Sequence, residues 1–179
     1  MKNIDKKTVE DFGEEWSQYN QDISDKELKI AWNQYFDIFP FEELSNESEG
    51  FDMGCGSGRW AKFVANDVKT LNCIDPSEKA LNIAKKNLTN FSNIKYFQAS
   101  VNDNVLKDNS QDFGYSLGVL HHIPDTQQGI NACAKLLKKD APFLLYCYYN
   151  FENRPHFFRR LWLVTDQLRK IFSYCLGLY

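Results

Sequence analysis

The chain has 179 residues, of which 43% are hydrophobic and 15% aromatic, and its formal net charge is −3. This length and composition indicate one folded domain with a substantial core and exclude a disordered chain. The charge gives no overall positive field that would attract nucleic acid, so we expect no nucleic-acid partner.

Several absences in the sequence favour a soluble, cytoplasmic protein. The N-terminal sequence MKNIDKKTVEDFGEEW lacks the apolar segment of a signal peptide, and no run of about 18 apolar residues would span a bilayer. The five cysteines are scattered and lack the spacing of metal ligands. We therefore expect reduced thiols and no metal site.

Residues 1–48 are predicted to form a helical N-terminal extension. Its clearest helix covers residues 27–39 and ends before Pro40, because proline cannot continue a helix. The extension also contains three aromatic residues, Phe12, Trp16 and Tyr19. These aromatic residues either form a lid over a binding site or pack against the edge of a sheet, and the sequence leaves both alternatives open.

Strand and helix patterns alternate in the middle of the chain. The predicted strands are residues 51–53, 70–74, 94–99, 113–119 and 142–149. The predicted helices begin at Trp60, at Ser77 and after Asp125. This order predicts an α/β fold with a doubly wound, mostly parallel sheet of about five strands. The fifth strand, PFLLYCYY, is continuously apolar, which is typical of a strand buried on both faces.

The first predicted strand ends in the sequence FDMGCGSGRWA. Glycines at alternate positions permit positive φ angles, and a helix N-terminus directly after them favours a nucleotide-like ligand. Gly56 to Ala61 forms a degenerate GxGxxG pattern, and Asp75 lies near the expected ribose position, so a nicotinamide dinucleotide is one candidate. Asp52 argues against it, because a carboxylate beside the loop would repel a pyrophosphate. The carboxylate suits a cationic cofactor such as S-adenosylmethionine.

Three motifs together resemble those of a known family. FDMGCGSGRWA is similar to the first motif of class I S-adenosylmethionine-dependent methyltransferases, and CIDPS to their acidic second-strand end. DNSQDFGYSLGVLHHIPDT resembles the fourth-strand motif of methyltransferase type 11, the ubiquinone-biosynthesis-like group. The resemblance covers residues 51–150 and implies that residues 49–150 form an S-adenosylmethionine-binding α/β domain.

The resemblance also implies which residues bind the cofactor. The side of the methionine moiety would be formed by Asp52, which takes the amino group, and by Gly54, Gly56, Gly58, Leu117 and Gly118. Asp75 would accept both ribose hydroxyls, and Pro76 would pack on the adenine. Ser100 stands where the family commonly has an acid, so Ser100 and Val101 would bind the adenine edge. Arg59 either contacts the cofactor carboxylate or is solvated.

His121 and His122 are the candidate catalytic residues, because they follow the fourth strand beside the expected methyl group. Either one accepts a proton from the methyl acceptor, or both orient the loop through hydrogen bonds to the backbone. His156, in the tail, is a weaker candidate. Cys55 is expected to fill space in a crowded loop rather than to act as a nucleophile.

Residues 151–179 form the predicted helical tail, with a net charge of +3. Residues 154–170 are predicted to form a basic amphipathic helix. This helix either contacts a membrane surface or a lipid-linked substrate, or it covers the sheet or lines an acceptor pocket, and we favour the second alternative. The class usually has seven strands, so the domain is expected to be incomplete at its C-terminus unless the tail closes the sheet.

The sequence thus predicts methyl transfer from S-adenosylmethionine to a small-molecule or lipid/glycan-precursor acceptor. Two alternatives belong to other classes. One is a non-catalytic cofactor-binding fragment that acts with a partner, and the other is a nicotinamide-dependent oxidoreductase.

Overall fold

The computed structural model describes residues 3–18, 24–148, 155, 157–158 and 160–165, with side chains left undescribed at 15–18. The chain divides into two compact units, Met1–Cys147 and Tyr148–Tyr179. In the second unit, residues 157–158 and 160–165 are helical. The predicted division into an extension, a central domain and a tail stays a prediction, and His156 lies outside the described residues.

The first unit contains one parallel sheet. Its strands are β1 (Glu49–Met53), β2 (Thr70–Asp75), β3 (Ile94–Gln98), β4 (Phe113–Leu117) and β5 (Phe143–Tyr146). They are arranged in the order β3-β2-β1-β4-β5, and every pair is parallel. All five strands therefore end at the same edge of the sheet, where open α/β sheets bind their ligands. The predicted α/β fold is confirmed.

Five α-helices accompany the sheet in the described chain: α1 (Lys6–Gln18), α2 (Asp25–Phe36), α3 (Ala61–Val64), α4 (Glu78–Asn87) and α5 (Thr126–Leu136). Short 3-10 helices cover Phe41–Glu43, Ala65–Asp67 and Leu120–His122. Ser77 caps α4 and Asp125 caps α5, each accepting a backbone N–H with its side chain. Both cap positions agree with the predicted helix starts.

The α2 helix differs from the predicted range of 27–39 at both ends. Ser24 and Glu27 form a reciprocal capping box that starts the helix at Asp25. The helix ends at Phe36, and Phe39 N donates to the Phe36 carbonyl in the turn that precedes Pro40. The chain thus leaves the helix earlier than proline alone requires.

Helices cover both faces of the sheet. Phe36 of α2, Val64 of α3 and Leu81 of α4 share one hydrophobic cluster with Cys73 and Tyr115 on the strands. A second hydrophobic cluster lies on the opposite face of the sheet. There Cys133 and Leu136 of α5 pack with Phe51 and Met53, which are alternate residues of β1. The two faces follow from the alternation of side chains along each strand.

The expectation that β5 is buried on both faces is wrong. Leu144 is buried, but Phe143 and Leu145 are half-buried and Tyr146 is 37% exposed. The reason is that β5 is the outermost strand of the described sheet and pairs with β4 alone. A continuous apolar run therefore does not by itself distinguish a central strand from an edge strand.

Candidate active site

The glycine loop turns sharply where β1 ends. Gly54, Gly56 and Gly58 have φ angles of 79°, 53° and 75°, a region that side chains other than glycine rarely occupy. Gly54 N and Cys55 N both donate to the Ile74 carbonyl, at 2.7 Å and 3.2 Å. The loop is therefore held against the end of β2, with Gly54 half-buried and Gly56 and Gly58 buried.

Asp75, at the end of β2, connects the loop to the next helix. Its Oδ2 accepts the Gly56 N–H at 2.9 Å, and its Oδ1 accepts the Ser77 N–H at 2.8 Å. Burial raises the pKa of Asp75, whereas the two N–H donors oppose that rise. A carboxylate offers about four lone-pair sites. Two therefore remain for ligand hydroxyls.

Asp52 is one residue from the end of β1 and is 2% exposed. Burial raises the pKa of Asp52 to about 8; the Tyr115 hydroxyl and the Arg59 charge lower it, and the Asp75 charge raises it. Its Oδ2 has no hydrogen-bond partner among the residues that the structure describes. A buried carboxylate oxygen left in this way is a candidate receptor for a cationic group.

Cys55, Arg59 and Pro76 flank these carboxylates. Cys55 is buried, and its interaction with Cys73 together with burial raises the pKa of its thiol, which makes it a poor nucleophile. The Arg59 guanidinium lies 4.6 Å from the centre of the Trp60 ring, and its charge reaches Asp52. Pro76 is half-buried between Asp75 and the helix cap Ser77.

The end of β3 is shaped by a residue that the sequence analysis missed. Ser100 and Val101 are buried, and Ser100 N donates to the Asp103 carboxylate at 2.9 Å. The Asp103 carboxylate therefore lies beside Ser100, although Asp103 comes three residues after the position at which the family commonly has an acid. A polar cavity of about 400 Å³ adjoins this loop, but among the predicted site residues only Val101 lines it.

The end of β4 opens toward the same edge of the sheet. Gly118 has a φ angle of 75°, and a Cβ at this position would meet no atom within 4 Å. Leu117 and Gly118 are half-buried. Gly118 N donates to the Tyr146 carbonyl at 2.8 Å, which anchors the loop to β5. Open space beside a left-handed glycine is a feature of a ligand-accepting turn.

His121 and His122 follow this turn, and their ring centroids lie 3.9 Å apart. Burial lowers the pKa of both imidazoles, and the neighbouring His122 also lowers the pKa of His121. Both rings are therefore neutral at pH 7 and can accept a proton. The two histidines lie side by side just after Gly118 in the chain, and their catalytic role stays a prediction.

The α1 helix contacts this region from the N-terminal extension. The Phe12 ring meets His122 edge-on, with 5.1 Å between the ring centroids. A Cβ at Gly13 would lie 2.6 Å from Ser77 Oγ, so α1 also approaches the start of α4 closely. Phe12 thus contacts a predicted catalytic residue, while the side chain of Trp16 and all of Tyr19 lie outside the described residues.

Asn3 fixes the chain ahead of α1, a contact with no local sequence signal. Its amide nitrogen donates to Asn102 Oδ1 at 2.9 Å and to the Asp125 carbonyl at 2.8 Å. Its amide oxygen accepts the Asp125 N–H at 2.8 Å. These bonds join the first residues of the chain to the loops that follow β3 and β4.

Two general properties of the described chain bear on partners. No helix in the described ranges is both long and apolar enough to cross a membrane. Within those ranges, no group of three or more His, Cys, Asp or Glu side chains is arranged to hold a metal ion.

The sequence of the chain is similar to those of known proteins. A family model described as "Methyltransferase domain" matches residues 51–145. The Ubiquinone biosynthesis O-methyltransferase of Salmonella paratyphi A is 33% identical over 92 residues, which are 50% of this chain and 38% of that protein. The chain thus spans less than half the length of this curated relative.

Solved structures are similar in fold. One from Listeria monocytogenes, described as an S-adenosylmethionine-dependent methyltransferase, is 25% identical with a TM-score of 0.56, covering 64% of this chain and 52% of that one. A second solved structure with this description comes from Methanococcus maripaludis and is 18% identical, with a TM-score of 0.60. The similarity covers 97% of this chain and 75% of that chain. At 18% identity the second likeness shows the fold alone.

Proposed function

Because the chain belongs to the methyltransferase-domain family, we propose that it transfers a methyl group from S-adenosylmethionine to a small-molecule or lipid/glycan-precursor acceptor. The observation that carries the proposal is the junction of the left-handed glycine loop with Asp75. The carboxylate holds Gly56 and Ser77 in place at the sheet edge while retaining lone pairs for two hydroxyls.

The described residues fit this cofactor. The unpartnered Asp52 Oδ2 suits an ammonium group, and Arg59, whose charge reaches Asp52, suits a carboxylate. Asp75 would bind the ribose, with Pro76 on one side of the adenine and Ser100 and Val101 at its edge. Gly54, Gly56, Gly58, Leu117 and Gly118 would surround the methionine chain. These roles are proposals that rest on position at the strand ends.

The cofactor supplies an electrophilic methyl carbon on a sulfonium that departs as a neutral thioether. The chain's part is to align the acceptor with that carbon and to exclude water, and alignment alone can contribute roughly 7–11 kcal/mol. The neutral imidazole of His121 or His122 would accept the proton of an acceptor hydroxyl. Phe12 against His122 would limit the access of water to that proton.

The same two histidines support a hydroxyl group as the methyl acceptor. A hydroxyl acceptor retains its proton at pH 7 and benefits from a base, and the curated relative is named an O-methyltransferase. A phenolic hydroxyl has an ordinary pKa of about 10 and so keeps its proton at pH 7, which makes a simple phenol such as catechol a suitable first probe. The low overall charge supports a small molecule over nucleic acid. The cytoplasmic location stays a prediction that rests on the scattered cysteines of the sequence.

Two alternative functions are distinguished from methyl transfer by the experiments below. A non-catalytic cofactor-binding protein acting with a partner would bind S-adenosylmethionine without turnover. A nicotinamide-dependent oxidoreductase is disfavoured by the family match and by the buried Asp52 carboxyl beside the loop.

The first experiment titrates the purified chain with S-adenosylmethionine, S-adenosylhomocysteine and NADH, by calorimetry and by melting temperature. We expect saturable binding of the first two and none of NADH. Binding of NADH alone would establish the oxidoreductase instead. Absence of all binding in a chain that still melts cooperatively would refute the proposed function for this chain.

The second experiment tests the base with radiolabelled cofactor and a catechol. His121→Ala or His122→Ala should reduce kcat by about 100-fold or more while leaving the affinity for S-adenosylhomocysteine unchanged. Unchanged turnover in both variants would show that the histidines only orient the loop. No turnover by the unmodified chain with any acceptor, despite tight binding, would favour the non-catalytic alternative.

A further inference from the structure

Tyr115 lies directly beside Asp52, on the neighbouring strand. The two residues are register partners of β1 and β4, so their side chains emerge on the same face of the sheet. Tyr115 is completely buried and Asp52 is 2% exposed. The Tyr115 hydroxyl and Asp52 Oδ2 both lack a hydrogen-bond partner among the described residues. The two buried polar groups thus stand side by side, near enough for the Tyr115 hydroxyl to lower the pKa of Asp52, yet without a well-formed hydrogen bond between them.

The position of the tyrosine ring is fixed by the N-terminal extension. Phe36 of α2 packs edge-on against the Tyr115 ring, with 5.3 Å between the centroids. Phe36 is itself buried and stacks on Trp32 at 5.0 Å. Because apolar groups surround the ring, the hydroxyl is the one part of Tyr115 that can form a directional interaction.

The groups that act on Asp52 come from every element around it. Tyr115 faces it from β4, Asp75 and Cys73 from β2, and Cys55 and Arg59 from the glycine loop. Phe36 is the contribution of α2 to this cluster. Arg59 is the one cationic side chain in this set. Tyr115 is the one hydroxyl donor in this set.

We infer that Tyr115 is a positioning residue for the cofactor's amino group, its hydroxyl donating to the Asp52 carboxylate when that carboxylate receives the ammonium. The inference rests on the proposed function. When the Tyr115 hydroxyl donates to one carboxylate oxygen of Asp52, it favours the charged form of that carboxylate. The other carboxylate oxygen then remains oriented toward the cation. Without the hydroxyl, the same carboxyl would hold its proton more tightly.

The pH dependence of binding follows from this arrangement. Burial raises the pKa of Asp52 to about 8, so the carboxyl must lose a proton to receive a cation at pH 7. The ligand's α-amino group must keep its proton, and the neighbouring carboxylate of the free amino acid stabilises the ammonium form to a higher pH than at a chain terminus. Affinity should therefore be greatest above pH 8, with an acid limb set by Asp52 and an alkaline limb set by the ligand. Removing the Tyr115 hydroxyl raises the pKa of Asp52 and moves only the acid limb.

The test compares two nucleosides on the full chain by calorimetry between pH 6 and 9. S-adenosylhomocysteine carries the amino-acid group, and 5′-methylthioadenosine lacks it. Tyr115→Phe should weaken S-adenosylhomocysteine binding at pH 7 about 10-fold, move its acid limb to higher pH, and leave methylthioadenosine unaffected. The matched control is Tyr96→Phe, which removes a hydroxyl on the same cross-strand row, with Cys73 between it and Asp52.

Each other outcome overturns the inference in a distinguishable way. An unchanged acid limb in Tyr115→Phe would exclude an effect on Asp52. Equal weakening of both nucleosides would indicate a merely structural role, and so would an equal effect of Tyr96→Phe. If the unmodified chain bound neither nucleoside, the proposed function would fail together with the inference. Binding of both with no effect of Tyr115→Phe would leave the proposed function standing alone.

Discussion

The Asp75 carboxylate accepts the Gly56 N–H through one oxygen and the Ser77 N–H through the other, at 2.9 Å and 2.8 Å. One side chain thus ties the glycine loop after β1 to the first turn of α4. The bonds place three adjacent segments in fixed positions before any ligand arrives. Asp75 therefore has a structural role that exists independently of its proposed contact with ribose.

The substitution Asp75→Ala should reduce both stability and affinity. Two buried N–H groups lose their acceptor, which costs about 2–3 kcal/mol of unfolding free energy. Loss of the charged hydrogen bonds to ribose should weaken S-adenosylmethionine binding by about 30- to 150-fold. Chemical denaturation and calorimetry measure the two effects separately.

Asp112 provides the matched control at the opposite edge of the sheet. Its carboxylate also accepts a backbone N–H, that of Glu49 at 2.9 Å, and pairs with Lys138 at 2.6 Å. Asp112→Ala should therefore lower the free energy of unfolding without weakening the binding of S-adenosylmethionine. An Asp75→Ala chain that bound the cofactor with unchanged affinity would contradict the assignment.

Gly54 and Gly118 should respond differently to alanine. Both have left-handed backbones, so each substitution carries a strain of about 1–2 kcal/mol. At Gly54 the new Cβ would also lie 2.5 Å from the Val119 methyl groups, whereas at Gly118 it would enter open space. Gly54→Ala should lower the melting temperature more, while Gly118→Ala should mainly obstruct the ligand.

The two variants are compared by thermal melting and by the affinity for S-adenosylhomocysteine. A Gly118→Ala chain with full affinity would show that the open space beside β4 does not accept the ligand. A Gly54→Ala chain as stable as Gly118→Ala would show that Val119 moves away at little cost.

The regular elements were predictable because their signals are local. The cap residues Ser77 and Asp125 start their helices where the sequence indicated, and each strand overlaps a segment that the sequence predicted as a strand. The exposure of β5 was not predictable, because the strand order determines it, and the turn that ends α2 at Phe36 comes before Pro40, on which the predicted end depended. For the same reason a strand's place in the sheet could not be taken from its composition.

The site residues divide in the same way. Asp52, Asp75 and the glycines belong to contiguous motifs, so their position at one sheet edge follows from the strand order. Tyr115 lies within the fourth-strand motif, but that motif does not indicate its contact with Asp52, and Asn3 belongs to no motif. Tyr115 meets Asp52 through the register of β1 and β4, and Asn3 reaches Asp125 across 122 positions of sequence. Contacts of this kind depend on tertiary packing, which a local pattern does not encode.

The substitution Asp52→Asn should stabilise the empty protein. The pKa of Asp52 is about 8 in the folded chain and about 4 when unfolded, so between these pH values the folded state holds more protons. Stability therefore falls as pH rises from about 4 to about 8. The amide does not titrate, so the variant should be about 2–4 kcal/mol more stable at pH 7.

The decisive measurement is the difference in unfolding free energy between Asp52→Asn and the unmodified chain, followed from pH 4.5 to 8.5. Other titrating groups are present in both chains and cancel. The difference should grow with pH and level off above pH 8, while the affinity for S-adenosylhomocysteine is lost. A difference independent of pH would show that Asp52 is charged in the empty site.

The last prediction concerns α1 as a cover for the site. Asn3→Ala removes three hydrogen bonds to Asn102 and Asp125, so amide exchange in residues 6–14 should become faster. Bound S-adenosylhomocysteine should slow that exchange in the unmodified chain, because Phe12 contacts His122 beside the proposed site. Lys7→Ala is the control, since it breaks only an exposed ion pair with Asp11 inside the helix. Exchange in α1 that did not respond to the ligand would favour the second alternative, a helix packed against the sheet edge without covering the site.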